Sequence, residues 1–157
     1  PGYVSALQSA LLMAVNLISL SRTETPVDPK DLDANDELIE EKMSLEQQLI
    51  SSILRMTINF LTNEHFRIRI AALELLDSCT TVFSDTDPRS KSLFLPLVHI
   101  SWSPLLQRIT SDPSIEVSQK ALKVIKEQSV VAGDFLRARI QKELLPAIDK
   151  LIYREVS

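Results

Sequence analysis

Two stretches of this chain carry one pattern 49 residues apart, and a chain that repeats itself at that distance has few folds open to it. Leu45, Leu49, Ile53, Met56 and Phe60 form an apolar stripe at steps of three and four, and Phe94, Val98, Trp102, Leu105 and Ile109 repeat it. Behind each stripe a second segment aligns at the same shift: Asn63, Ile68, Ala72, Leu75 and Leu76 against Asp112, Val117, Ala121, Val124 and Ile125. Such steps put apolar side chains on one face of an α-helix. Each unit therefore reads as a helix, a short turn and a second helix, with a period close to that of stacked helix pairs. One pair cannot bury its own apolar face, so pairs stack side by side into a solenoid.

The turns carry helix-start chemistry. Thr62 and Asn63 precede one second helix; Ser111, Asp112 and Pro113 precede the other. Asn and Asp accept from orphan amides at a helix start, and proline fits the first turn. The predicted units cover residues 44–83 and 90–131 of a single array spanning 1–157. Ahead of them, Val4, Leu7, Leu11, Leu12, Val15 and Ile18 predict a helix over 3–20. A further helical segment is predicted over 133–155, faced by Leu136, Ile140, Leu144, Ile148, Leu151 and Ile152. Gly133 is expected to end the preceding helix in a left-handed conformation and Asp134 to cap the next. Pro104 and Pro146 are expected to kink or split their helices.

The fold class this predicts is all-α, a HEAT-type superhelix built as a solenoid of antiparallel helix pairs. In that pattern the turn carries Asp and the second helix opens with Val-Arg. Here one unit reads Asn63…Ile68-Arg69 and the other Asp112…Val117-Ser118. Each holds half of the pair, and Asp112 is expected to reach Arg69 across the two units.

Composition excludes other classes. The only glycines are Gly2 and Gly133, too few for phosphate-cradling loops, tight hairpins or dinucleotide folds. Cys79 is the one cysteine, so there is no disulfide framework and no cysteine zinc set. No apolar run approaches the roughly 20 residues of a membrane span. The net charge of −4 conceals a segregation. Residues 23–41 carry a net −7, leaving +3 on the remainder, which is too weakly basic for a duplex binder. The acidic stretch, with two prolines, reads as a flexible insertion over about 22–42.

No local motif for chemistry stands out, although a triad can be assembled from residues distant in sequence. His65 and His99 lie far apart without ligand spacing, and no P-loop, paired-carboxylate or Ser/His/Asp motif is visible. The chain is expected to be no enzyme and to need no metal, cofactor or small-molecule ligand. Cys79 falls in phase with Ile68, Leu75 and Leu76, and Trp102 lies within its stripe, so both read as core. Lys120, Lys123, Lys126, Arg137, Arg139 and Lys142 form the nearest thing to a basic patch, with no aromatics interleaved for base stacking. Asp134, Phe135, Arg137, Arg139 and Lys142 are the candidate partner-binding or corner motif. Arg137 and Arg139 point to different sides of their helix, with Asp134 in reach of one.

Leu95-Pro96-Leu97-Val98-His99, then Trp102, Leu105, Arg108 and Asp112, then Ala121-Leu122-Lys123-Val124, then Gly133 through Arg139 and Leu145-Pro146 form a linked series. It resembles the C-terminal part of the Tel-two-interacting protein one family over about residues 60–152, with Ser118 in place of the usual arginine. The resemblance implies a HEAT-repeat scaffold of the TTT complex, a co-chaperone assembly supporting maturation of phosphatidylinositol-kinase-related kinases. It implies as partners Tel-two, Tel-two-interacting protein two, those kinases and heat-shock chaperone machinery, in cytoplasm and nucleus. No nucleic acid and no membrane are expected. The alternative is a segment of a HEAT-repeat nuclear transport receptor, whose acidic insertion would compete for basic cargo.

Overall fold

A computed structural model describes residues 2–21, 45–84 and 88–156. Among these every element is helical: α1 (Gly2–Ser21), α2 (Leu45–Asn59) with a 3-10 turn (Phe60–Thr62), α3 (Phe66–Ser84), α4 (Pro88–Ser111), α5 (Ile115–Ala132), α6 (Asp134–Arg139), a π turn (Ile140–Leu144) and α7 (Leu145–Val156). The expected acidic insertion at 22–42 lies outside the described residues, as do the side chains of Leu7, Leu11, Val15, Ile18, Leu45 and Leu49. The transport-receptor alternative rested on that insertion.

The architecture is a solenoid of helix pairs. α3 packs between α1 and α5, while α2 and α4 back onto α3 and α5 as their pair partners. The apolar core runs through this stack. Leu54, Leu61, Ile68, Leu76, Phe94, Leu105, Val117 and Leu136 are fully buried. Ala72 and Ala121 are fully buried mid-helix, where a side chain of one carbon lets a neighbouring helix approach.

The α4 face lies where the spacing predicts, with Phe94, Val98, Trp102, Leu105 and Ile109 all buried. The α2 face does not. Its buried residues are Ile50, Leu54, Thr57 and Leu61, while Met56 is 61% exposed and Ile53 and Phe60 only flank the core. These four match Phe94, Val98, Ser101 and Leu105 at a shift of 44, whereas the second helices match at 49. α4 therefore runs about one turn longer than α2 before its turn. Two hydroxyls occupy the buried faces because each bonds its own helix: Thr57 Oγ1 donates to the Ile53 carbonyl at 2.6 Å and Ser101 Oγ to that of Val98 at 3.1 Å.

The turn residues act by a different route from capping. The Asn63 side chain accepts the His65 amide at 3.0 Å, and Asp112 accepts that of Ser114 at 2.9 Å. These are side-chain turns that set up α3 and α5. At the next corner Gly133 has φ +52° and ψ −124°, and its amide donates to the Ser129 carbonyl at 2.9 Å. The positive φ is as expected, but ψ takes it out of the left-handed helical well. Asp134 is the first residue of α6 rather than its cap, and its side chain makes no capping bond.

Of the two prolines expected to kink or split their helices, Pro104 leaves α4 undivided, whereas Pro146 lies where its helical segment divides. α4 continues through Pro96 and Pro104 without ending. Pro146 is the second residue of α7, directly after the π turn. A proline there offers no N–H to the Lys142 carbonyl and crowds it. The wider turn, closed by the Leu145 amide on the Ile140 carbonyl, absorbs the misfit.

Candidate functional site

The seam between the two repeats holds the densest polar network. Asp112 lies in the turn after α4, its side chain fully covered. Arg69 on α3 grips it with two prongs, Nε to Oδ2 at 2.8 Å and Nη2 to Oδ1 at 2.9 Å. Arg108 Nη1 adds a third donor at 3.0 Å, one turn back along α4. Arg69 Nη1 also donates to the carbonyls of Asn63 and Glu64 at 2.7 and 3.0 Å. Thus one guanidinium ties together its own repeat's turn and the next one's. Burial raises the Asp112 carboxyl, but the Arg69 hydrogen bond, the Ser114 amide and the charges of Arg69 and Arg108 outweigh it and hold the group below its usual value. Where the pattern would place a further arginine, Ser118 Oγ donates to the Arg108 carbonyl at 3.0 Å.

Further along the same seam, Lys120 Nζ meets Glu74 at 3.2 Å and Lys123 Nζ meets Asp77 at 3.0 Å. The hydrogen bond that Lys123 donates to Asp77 raises its ammonium above its ordinary value. Two of the six basic residues thus face acids of the neighbouring repeat. The signal was present in the sequence as acids on α3 a fixed 46 residues before the lysines. A cleft of about 300 Å³ opens between them, lined by Leu73, Glu74, Asp77, Lys120, Lys123 and Val124.

At the α5–α6 corner the candidate residues divide. Arg137 pairs with Asp134 at 2.9 Å, both side chains in solvent. Arg139 turns to the other side, where it meets His99 Nδ1 on α4 and lies 5.6 Å from the centre of the Phe135 ring. Phe135 is 40% exposed and Lys142 is exposed. The corner is a joint on the surface rather than an enclosed site.

Two expected core residues lie in the core. Cys79 is fully buried, and burial pushes its thiol up to about 12, so it stays protonated at neutral pH. Trp102 is buried, and its indole N–H donates to Glu143 on the π turn, a contact that spacing alone did not reveal. Sequence reading also missed the buried pair in which Gln128 Nε2 donates to Ser101 Oγ at 3.0 Å. Among the described residues no three or more His, Cys, Asp or Glu side chains gather as a metal ion would need. No described helix is long and apolar enough to cross a membrane.

Stacked helix pairs, an ion-paired seam and surface corners define a helical-repeat protein. Residues 18–157 match the family model described as the TTI1 C-terminal TPR domain. The chain belongs to the TTI1 family. The TELO2-interacting protein 1 homolog of Homo sapiens is 33% identical over 127 residues, 80% of this chain and 11% of that protein. Its Mus musculus counterpart is 31% identical over 122 residues, 76% of this chain and 11% of that protein. The match thus spans about a tenth of the length of these curated relatives. No solved structure matches the chain. The family description speaks of TPR units, which are about 34 residues long. The longer spacing here, with an arginine–aspartate rung across the seam, is that of HEAT-type pairs.

Proposed function

We propose that this chain is a non-catalytic protein-binding scaffold segment of the TTT co-chaperone complex, which supports the maturation and stability of phosphatidylinositol-kinase-related kinases. The observation that carries the reading is the family match along residues 18–157. The relatives' name, TELO2-interacting protein 1, supplies the first partner. TELO2 is thus the partner of choice, followed by the second TELO2-interacting protein, the kinases and the chaperone machinery, in cytoplasm and nucleus.

The physical features support this reading. Cys79 is buried and protonated, Asp112 is spent on three arginine hydrogen bonds and a turn amide, and His99 is engaged by Arg139. Each of these three groups therefore has a structural task, and the stacked array presents broad solvent-facing sides, the shape repeat proteins use to bind others. Affinity capture from a cell lysate with mass spectrometry tests the assignment. TELO2 and the large kinases should be recovered with the chain; recovery of nuclear-transport factors without them would overturn it.

A further inference from the structure

α5 has two apolar sides. One is buried, through Val117, Ala121, Val124 and Ile125. The other is Ile115, Leu122 and Val130, which are 74, 41 and 72% exposed, with Gln119 and Lys126 exposed between them. Spacings of four, three, four and four bring these five residues to one side of the helix.

The internal repeat says what such a line is for. At the shift of 49 the equivalent residues of α3 are Phe66, Leu73, Asp77 and Thr81. There Leu73 is 1% exposed, and it lines the cleft against α5. Asp77, the counterpart of Lys126, receives Lys123 of α5 at 3.0 Å. On α3, then, the line is where the next helix docks, and an ion pair fixes its register. On α5 the same line has the same apolar position at Leu122, but the charge is reversed, because Lys126 stands where Asp77 stood. Lys126 makes no ion pair among the described residues. The rung that joins one repeat to the next is also absent, since Ser118 replaces the arginine equivalent to Arg69 and turns its hydroxyl inward to the Arg108 carbonyl.

We propose that the outer line of α5 is a docking surface for an acidic amphipathic helix of a partner protein. Such a helix seats apolar residues on Leu122 and Val130 and sets a carboxylate against Lys126, reproducing with opposite sign the way α5 seats on α3. The proposal rests on the scaffold reading for the class of ligand only. Its test uses a designed helix rather than TELO2, so the two fail separately.

The probe is a fluorescent, stapled peptide of residues 115–132 carrying Lys120→Glu and Lys123→Glu, compared by anisotropy with the unchanged peptide. The acid-bearing peptide should bind about fivefold tighter at low salt, as one or two exposed ion pairs allow. Lys126→Ala in the chain should remove that preference and Lys126→Glu should invert it. Leu122→Asp or Val130→Asp should weaken binding tenfold or more while leaving thermal melting unchanged. No preference between the peptides, or affinity indifferent to Leu122→Asp and Val130→Asp, overturns the proposal. So does self-association of the chain that these substitutions abolish, which would assign the face to a second copy.

Discussion

Replacing Asp112 with Ala removes one side chain and strands two cations. The carboxylate accepts from Arg69 Nε, Arg69 Nη2, Arg108 Nη1 and the Ser114 amide, all at 2.8–3.0 Å. The Arg69 side chain is only 6% exposed and that of Arg108 13%, so water cannot replace what is lost. Breaking a buried pair by deleting one partner costs about 3–5 kcal/mol. Arg69 keeps the carbonyls of Asn63 and Glu64, which places the expectation near the lower end, about 3 kcal/mol. Urea unfolding followed by circular dichroism at neutral pH measures this. For a chain of this size the melting temperature should fall by roughly 10 °C. A double-mutant cycle with Arg69→Met isolates the pair, and its coupling should exceed about 1.5 kcal/mol. The pH dependence has a definite sign. A carboxyl held below its usual value contributes stability above the unfolded pKa of about 3.9, and loses it as pH falls through the folded value. The gap between parent and Asp112→Ala should therefore narrow on acidification below about pH 4. A cost under about 1 kcal/mol, or strict additivity with Arg69→Met, would refute the claim that this rung binds the repeats.

Three further outcomes are expected. Leu54→Ala should cost about 2–5 kcal/mol while Met56→Ala costs under about 0.5; equal losses in chemical denaturation would restore the stripe that the 49-residue shift predicts. Gly133→Ala meets no atom within 4 Å, so its cost is purely the backbone strain of φ +52°. It should be about 1–3 kcal/mol, read from the urea midpoint. The Cys79 thiol, pushed up to about 12, should resist a thiol reagent at pH 8 and react as the chain unfolds; immediate labelling of the native protein would place it at the surface.

The sequence made the second helices and their seam legible for a physical reason. Residues that stack repeats are constrained on two sides, so Ile68, Ala72, Leu75 and Leu76 recur as Val117, Ala121, Val124 and Ile125, and Arg69 finds Asp112. The first helix of the earlier unit was misread by one position because the 49-residue shift does not extend into it. Thr57 and Ser101 hid the true face: a hydroxyl satisfied by its own helix can be buried, but it does not read as apolar. The ion pairs of Lys120 and Lys123 were hidden for another reason. Counting lysines on α5 ignores the acids that stacking brings opposite them, and Glu74 and Asp77 come from another helix. The Trp102–Glu143 contact depends on how the π turn rotates its side chains, which no spacing rule supplies.

The chain belongs to the TTI1 family, and the proposal built on that is a partner-binding role. The most direct measurement mixes the purified chain with purified TELO2, alone and together with the second TELO2-interacting protein, and follows complex formation by size-exclusion chromatography with light scattering. The account predicts a stoichiometric complex that survives Cys79→Ala and His99→Gln. The absence of any complex at tens of micromolar, with the chain folded and monodisperse, would contradict it.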